Sequence, residues 1–168
     1  FHDRLREELV RASVEHDTVA LVMLDLDDFK RVNDVYGHGV GDELLLKVAD
    51  VLRASVRASD VVCRVGGEEF AVVMPSGDLR SAVALAERIG VELGSLDADA
   101  AGTLTVSTGV AVGPEHAANP RELVACAEAA MMTAKTRGKG LGLPSDVSTL
   151  VRTSVENVRL LPRHASSG

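Results

Sequence analysis

The run Val19-Ala-Leu-Val-Met-Leu24 is continuously apolar and has the length of one strand. Continuous apolar character, without alternation, is typical of a strand that is buried on both faces of a sheet. The run continues directly into Asp25-Leu-Asp-Asp28, which places three carboxylates within four positions at the exit of the strand. The sequence therefore predicts a central strand with negative charge concentrated at its carboxyl end.

A β-hairpin is predicted further along the chain. Val61-Val-Cys-Arg-Val65 and Glu68-Glu-Phe-Ala-Val-Val-Met74 are strand-like runs that are separated only by Gly66-Gly67. Two glycines between such runs favour a two-residue turn, because the tight hairpin turns need positive φ. We therefore expect Glu68 and Glu69 to follow the turn directly.

The other elements are predicted to be helices and one further strand. Apolar periodicity and capping residues predict a helix from Phe1 to about His16 and a short helix over Phe29–Tyr36 with Asp28 as N-cap. Glycines at 37, 39 and 41 break the short helix, and a long helix follows from about Asp42 to Val56. Two more helices are predicted from a cap at Asp78 to about Leu93 and from Asn119-Pro120 to about Thr136, with a strand from Leu104 to Val112 between them. The predicted fold class is α+β, a central antiparallel sheet with a β-hairpin flanked by helices, of the ferredoxin-like type. Residues 143–168 are expected to form a C-terminal extension, with a helix over 146–161 and a loose tail.

Composition excludes several classes of partner. The 168 residues suffice for one domain with a real core, and the net charge of −7 argues against nucleic acid, because displacing its counterions needs surplus Lys and Arg. The sequence has no apolar run of membrane-spanning length and no signal peptide, so no membrane contact is expected of this domain. Cys63 and Cys126 lie far apart, which favours a reducing, cytoplasmic setting. Since there is no Trp and only one Tyr, a bound base would be recognised mainly by polar contacts.

Asp25 and Glu68 are the candidate centre of a metal site. Asp25 adjoins the apolar run and should be partly buried, where a carboxylate must be paired, hydrogen-bonded or metal-bound. A hairpin tip beside the end of the central strand would bring Glu68 close to it. Two carboxylates with room for water and phosphate suit Mg²⁺, which can activate a ribose hydroxyl and stabilise a pyrophosphate leaving group. The alternative is that the aspartates, above all Asp27 and Asp28, are solvated strand-end charges and caps.

Two blocks of the sequence resemble the motifs of one family. Gly66-Gly67-Glu68-Glu69-Phe70 resembles the motif of GGDEF domains in its Glu-for-Asp form, and the stretch from Asp25 to Asp42, with its Phe29-Lys30 and Gly37-His38-Gly39, resembles that family's other block. The resemblance covers residues 1–142 and implies a palm-type nucleotidyl cyclase fold and a diguanylate cyclase, which condenses two GTP into cyclic di-GMP and two pyrophosphates. It implies that Asp25, the Leu26 carbonyl and Glu68 hold Mg²⁺, with Mn²⁺ as an alternative.

The resemblance also assigns the remaining site residues. Glu68 is implied to assist deprotonation of the 3′-hydroxyl, with Glu69 and Lys30 as further catalytic residues. Asn33 and Asp42 would recognise guanine, because a carboxylate accepts from its N1–H and amine while an amide donates to O6 or N7, an arrangement that rejects ATP. The other residues implied to contact the nucleotide are His38, Lys30, Lys135, Lys139, Arg64, Gly66 and Gly67.

Each of these residues also has an ordinary structural interpretation. Asn33 and Asp42 could be a helix C-terminal turn and an N-cap, and His38 a loop histidine. The lysines could be surface residues, and Arg64 an arginine at a strand edge.

An inhibitory product site is implied by Arg57-Ala-Ser-Asp60, which ends five residues before Gly66. In the family, an Arg-x-x-Asp at this spacing binds cyclic di-GMP, often with a second arginine, for which Arg88 is the candidate. Arginine forks suit the phosphates and guanine of such a ligand. A surface ion pair is the alternative.

Two departures from the family pattern leave other functions open. Met132 stands where the family has Tyr, and Lys139 stands where it has an arginine, so the bidentate fork is lost. A catalytically weak domain that acts as a receptor for cyclic di-GMP or GTP is therefore the main alternative, and a different nucleotidyl cyclase on a similar palm-like sheet is the third. The expected partners are a second copy, because catalysis needs a homodimer, and N-terminal sensory or regulatory domains, because the family's segment ahead of Phe1 is missing.

Overall fold

The computed structural model describes residues 1–96 and 104–144. In these ranges the elements are α1 His2–Glu15, β1 Val19–Leu26, α2 Phe29–Tyr36, α3 His38–Ser55, β2 Val61–Arg64, β3 Glu69–Pro75, α4 Leu79–Gly94, β4 Val106–Gly113, α5 Pro120–Thr136 and β5 Gly140–Gly142. The helix predicted over 146–161 and the predicted tail lie outside the described residues. None of the helices in the described ranges has both the length and the apolar character that crossing a bilayer requires.

All the strands described belong to one sheet, in the order β2-β3-β1-β4-β5. The central strand β1 is antiparallel to both β3 and β4, and the β2–β3 hairpin forms one edge. The predicted α+β class with an antiparallel, ferredoxin-like sheet is confirmed for the first four strands. At the other edge β5 pairs parallel to β4. This strand is not predictable from the sequence, because Gly-Leu-Gly carries no strand pattern.

Helices cover both faces of the sheet, and every residue of β1 is buried. Ala20, Val22 and Leu24 pack in the layer that contains α2, α3 and α4, whereas Leu21 and Met23 pack with α1 and α5. A fully buried Val, Leu or Met side chain contributes about 1.5–3 kcal/mol, so polar residues at alternate positions of β1 would destabilise one of the two layers. This two-sided burial explains the continuous apolar run.

The junction between α2 and α3 differs from the prediction. Only Gly37, with φ of 86°, separates the two helices, and glycines 39 and 41 lie inside α3. Gly41 is needed because α2 packs against it: a Cβ there would collide with the amide of Asn33 and lie 3.2 Å from the ring of Phe29. The glycines that the pattern marked as helix breakers therefore include one that permits two helices to approach closely.

The predicted caps of α4 and α5 are confirmed. The side chain of Asp78 accepts a hydrogen bond from the backbone N–H of Ser81 at 2.8 Å, and Asn119 accepts one from Glu122 at 2.9 Å. Asp28 occupies the predicted N-cap position of α2, but its side chain makes no capping hydrogen bond and its φ is 58°. Its carboxylate is paired elsewhere, as described below.

Helix α5 lies directly on the sheet. A Cβ at Gly109 of β4 would collide with the backbone carbonyl of Ala127, and one at Gly142 of β5 would collide with that of Ala130. Backbone atoms cannot rotate aside as side chains do, so only glycine fits at these two positions. This close packing fixes the end of α5, where Lys135 lies, beside the end of β1.

Candidate active site

The carboxyl end of β1 and the start of β3 bring the predicted acids together. Asp25 is the cross-strand partner of Glu69, and the N–H of Leu26 donates to the carbonyl of Glu68 at 3.2 Å. Asp25 is only 7% exposed, whereas Glu68 is half-buried. The antiparallel register of β1 and β3 therefore pairs Asp25 directly with Glu69 and puts Glu68 at the next position, beside the backbone of Leu26.

The turn that carries Glu68 is longer than predicted. Strand β2 ends at Arg64 and β3 begins at Glu69, and neither Gly66 nor Gly67 has positive φ, so the prediction of a two-residue turn was wrong. Instead the N–H groups of Val65 and Gly66 both donate to the carbonyl of Glu69, at 2.9 and 3.3 Å. Gly66 is needed for space, because a Cβ there would collide with the Glu69 carboxylate.

Arg64 closes this turn from the side of β2. Its Nε donates to the carbonyls of Gly66 and Gly67, both at 3.2 Å, and its Nη2 donates to that of Gly67 at 2.6 Å. These bonds tie an exposed guanidinium to the backbone just before Glu68. Arg64 thus supports the turn, in addition to any contact that it makes with a ligand.

The cation closest to Asp25 comes from α5. Nζ of Lys135 lies 2.7 Å from Oδ1 of Asp25, and the two side chains are 31% and 10% exposed. Burial raises the pKa of Glu68, and the negative charge of Asp25 raises it further, while the charge of Lys135 opposes both. Asp25 and Glu68 therefore form a negatively charged cluster that Lys135 partly neutralises.

Asp28 and Lys139 form a second ion pair at 2.6 Å, which joins the turn after β1 to the turn after α5. Lys139 has φ of 77° between Gly138 and Gly140, which also have positive φ. The hydrogen bond between the two side chains raises the pKa of Lys139 and lowers the pKa of Asp28. This pairing explains why the side chain of Asp28 makes no capping hydrogen bond to α2.

Asp27 and Ser107 were not recognised as a pair from the sequence. Asp27 is 8% exposed, and its Oδ1 accepts a hydrogen bond from the hydroxyl of Ser107 at 2.8 Å. Its Oδ2 is buried and has no hydrogen-bond partner among the described residues. Asp27 is thus a buried acid and not the solvated charge that is its alternative interpretation. The polar Ser107 within a buried strand is the signal in the sequence.

The arrangement fits a hard cation that keeps some of its water. The buried Oδ1 of Asp25 makes no hydrogen bond of acceptable geometry within the described residues, although the ammonium of Lys135 is near it. The described part of the chain contains no group of three His, Cys, Asp or Glu side chains that could hold a metal. Two carboxylates and the Leu26 carbonyl would therefore suit Mg²⁺ completed by water and phosphate oxygens, and they would not make a closed protein cage.

The predicted base-recognising residues meet at the α2–α3 junction. Asn33 in α2 is half-buried with its amide against Gly41, and Asp42 follows on the exposed surface of α3. Lys30 and His38 are exposed in the first turns of α2 and α3. A groove of about 390 Å³ opens beside Asp42, and its remaining lining is Leu45, Leu46, Ala49, Arg53, Val62, Arg64 and Phe70.

The Arg-x-x-Asp segment forms a compact turn after α3. The N–H of Arg57 donates to Oδ2 of Asp60 at 2.9 Å, and the N–H of Asp60 donates to the carbonyl of Arg57 at 3.0 Å. From α4, Nη2 of Arg88 donates to the carbonyl of Ser55, whose hydroxyl donates to Glu92. Arg57, Asp60 and Arg88 are therefore gathered around the carboxyl end of α3, away from Asp42 near its start.

Comparison with known proteins identifies the family. The family model described as diguanylate cyclase, GGDEF domain, matches residues 1–140. The probable diguanylate cyclase DgcT of Escherichia coli is 37% identical over 141 residues, which are 81% of this chain and 31% of DgcT. The chain thus spans about a third of the length of that relative.

Solved structures agree with this assignment. The GGDEF domain of TpbB from Pseudomonas aeruginosa matches with a TM-score of 0.80 and 34% identity, covering 85% of this chain and 92% of that one. The GGDEF domain of DgcB from Caulobacter crescentus, solved in complex with c-di-GMP, matches with a TM-score of 0.79 and 30% identity, covering 86% and 85%. With the family model matching most of its length and these folds superimposing on it, the chain belongs to the GGDEF domain family.

Proposed function

We propose that this domain is the catalytic domain of a diguanylate cyclase, which condenses two GTP into cyclic di-GMP and releases two pyrophosphates. The observation that carries the proposal is the adjacency of Asp25 and Glu68 at the end of β1, with Lys135 beside them. Family membership and a relative named as a probable diguanylate cyclase support the same reaction.

Asp25, the carbonyl of Leu26 and Glu68 are the residues that would hold Mg²⁺, or Mn²⁺ in its place. Bound there, the metal supplies positive charge that lowers the pKa of a ribose hydroxyl and stabilises phosphate oxygens. The buried, poorly bonded Oδ1 of Asp25 is the feature of this chain that fits the role.

Glu68 is the proposed proton acceptor from the 3′-hydroxyl. Its raised pKa, caused first by burial and then by the charge of Asp25, brings it closer to the operating pH, which favours a general base. Glu69 is the second candidate, but its carboxylate lies against Gly66. The chemistry is an attack of each 3′-oxygen on the α-phosphorus of the other GTP, with pyrophosphate leaving.

Guanine is proposed to bind beside Asp42 and Asn33. The carboxylate would accept from N1–H and the exocyclic amine, while the Asn33 amide would donate to the opposite edge, and His38 would lie near the ribose. The aliphatic walls of the groove next to Asp42 would cover the base, in keeping with the scarcity of aromatic residues. Phosphate charge would be met by Lys30, Lys135, Lys139 and Arg64.

A homodimer is part of the proposal, because each domain would hold one GTP and neither hydroxyl can attack its own α-phosphate to form the product. Bringing two loaded domains face to face converts the reaction into a positioned encounter. N-terminal sensory or regulatory domains that control this encounter, and a cytoplasmic location, remain predictions.

The activity test is incubation of the chain with Mg²⁺ and either GTP or ATP, with products identified by mass spectrometry. Cyclic di-GMP from GTP alone supports the proposal, and Asp25→Asn should lower the rate at least 100-fold if Asp25 holds the metal. Binding of GTP or cyclic di-GMP without turnover, also in a forced dimer, would favour the receptor function and contradict the cyclase.

Arg57, Asp60 and Arg88 are proposed to bind cyclic di-GMP and inhibit the enzyme. The c-di-GMP complex of the DgcB domain is consistent with such binding in the family. Arg57→Ala should raise the concentration for half-inhibition at least tenfold, because arginine–phosphate pairs are among the stronger hydrogen-bonded contacts. Arg80→Ala removes an exposed arginine from the same helix as Arg88 and should leave inhibition unchanged. Equal inhibition of all three proteins would contradict the site.

A further inference from the structure

Lys135 lies against one carboxylate oxygen of Asp25, a residue that is proposed to hold the metal ion. Its ammonium nitrogen lies 2.7 Å from Oδ1 of Asp25, an oxygen that makes no regular hydrogen bond with any described residue. Asp25 is almost fully buried, so its charge must be compensated by a nearby cation. In this structure that cation is Lys135.

The same ammonium also acts on Glu68. The positive charge of Lys135 lowers the pKa of Glu68, against the effects of burial and of Asp25. One lysine therefore lies within electrostatic range of both side chains that are proposed to hold the metal. A lysine ammonium and a divalent ion cannot occupy the same position against Oδ1 of Asp25.

We propose that Lys135 is a displaceable counter-cation of the metal site: it neutralises Asp25 in the free protein, leaves when Mg²⁺ binds, and then becomes available to the phosphates of the nucleotide. This inference rests on the proposed function, because it assumes the metal ligands named there. It makes Lys135 a positioning residue whose two contacts, with Asp25 and with phosphate, are used in turn.

The exchange has a thermodynamic consequence. Metal binding to the free protein has to break the Asp25–Lys135 ion pair, whereas binding together with a nucleotide gives the released ammonium a new anionic partner. The metal should therefore bind weakly alone and tightly with nucleotide, and by linkage the nucleotide should bind more tightly when the metal is present. Lysine suits this role, since its charge is carried on a flexible stem while its backbone stays in α5.

Lys139 offers a matched control from the same end of α5. It forms an ion pair of similar length, 2.6 Å, but its partner is the exposed Asp28, which is not a proposed metal ligand. Removing Lys139 changes the net charge near the site as removal of Lys135 does, yet leaves the contact with Asp25 in place. Comparing the two variants separates direct occupancy of the site from a general effect of charge.

The test measures Mn²⁺ binding by the electron paramagnetic resonance signal of the free ion, first with Mn²⁺ alone and then with a non-hydrolysable GTP analogue. Lys135→Met should bind Mn²⁺ alone about tenfold more tightly than wild type, within the usual range of coupling between sites. It should bind the analogue more weakly in the presence of Mn²⁺. Lys139→Met should stay within about twofold of wild type for Mn²⁺ alone, because exposed charges are screened.

Tighter metal binding combined with weaker nucleotide binding cannot result from misfolding, which would weaken both. Lys135→Arg, which keeps the charge, should restore the weak binding of Mn²⁺ alone. Unchanged or weaker Mn²⁺ binding in Lys135→Met, or an equal gain in Lys139→Met, would overturn the inference. If Asp25→Asn binds Mn²⁺ as well as wild type, the proposed metal site itself fails, so the two failures are distinguishable.

Discussion

Replacing Gly41 by alanine tests whether the packing of α2 on α3 positions a base-recognising side chain. The added Cβ would overlap Oδ1 of Asn33 and lie 3.2 Å from the ring of Phe29. Because the obstructing group is the end of a side chain, the helices should remain folded while Asn33 moves. Gly39→Ala is the matched control, since a Cβ at Gly39 meets no atom within 4 Å.

The expected sizes follow from these contacts. Gly39→Ala should stabilise the protein by about 0.4–1 kcal/mol, the usual gain when alanine replaces glycine in a compatible helix. In Gly41→Ala this gain should be absent, and overpacking should lower the free energy of unfolding by roughly 1–3 kcal/mol. Loss of one hydrogen bond from Asn33 to guanine, about 0.5–1.5 kcal/mol, corresponds to an increase of roughly twofold to tenfold in the KM for GTP.

Urea unfolding followed by circular dichroism gives the stabilities, and initial rates of cyclic di-GMP formation give KM and kcat. We expect the KM of Gly41→Ala to rise while the KM of Gly39→Ala stays at the wild-type value. The reasoning is refuted if the two variants have the same stability and the same KM, because the contact with Asn33 would then be irrelevant.

Three further predictions concern stability. Because burial and then the charge of Asp25 raise the pKa of Glu68, the wild-type protein loses stability as the pH rises from the ordinary glutamate value through the raised one. Glu68→Gln lacks this loss, so in metal-free buffer its advantage in stability should grow from pH 4 to pH 7, and an advantage that shrinks with rising pH would contradict this. Gly109→Ala should lower the free energy of unfolding by at least about 2 kcal/mol, because the added Cβ meets the backbone carbonyl of Ala127, which cannot move aside. A denaturant midpoint equal to that of the wild type would disprove the close packing. Asp78→Ala should lower the free energy of unfolding by about 0.5–2 kcal/mol through loss of the α4 cap, measured in the same titration, with no change in Mn²⁺ affinity.

Features of the fold that depend on neighbouring residues were predictable from the sequence. The apolar run predicted β1, and Asn119-Pro120 predicted the start of α5, because strand burial and helix caps leave a local pattern. Features that depend on close approach were not predictable: Gly66 makes room for Glu69 and does not supply a positive φ, and Gly41 makes room for Asn33. A glycine in the sequence does not reveal which of its two properties is used.

The candidate site shows the same division. The proximity of the acids follows from a hairpin placed beside a central strand, and the register of β1 and β3 pairs Asp25 with Glu69, the residue after Glu68. The contact of Lys135 with Asp25 depends on where α5 crosses the sheet, which is decided by packing between segments that are 110 residues apart in the sequence. No periodicity or motif in the sequence encodes such a distance.

The central position of β1 has a consequence for synthesis of the chain on the ribosome. This strand leaves the exit tunnel before both of its hydrogen-bonding neighbours, β3, which begins at residue 69, and β4, which begins at residue 106. Until both have been translated, one of the most apolar segments of the nascent polypeptide has at least one open edge. Chaperones that recognise extended apolar segments should therefore bind the growing chain at residues 19–26, and release it only after β4 has emerged.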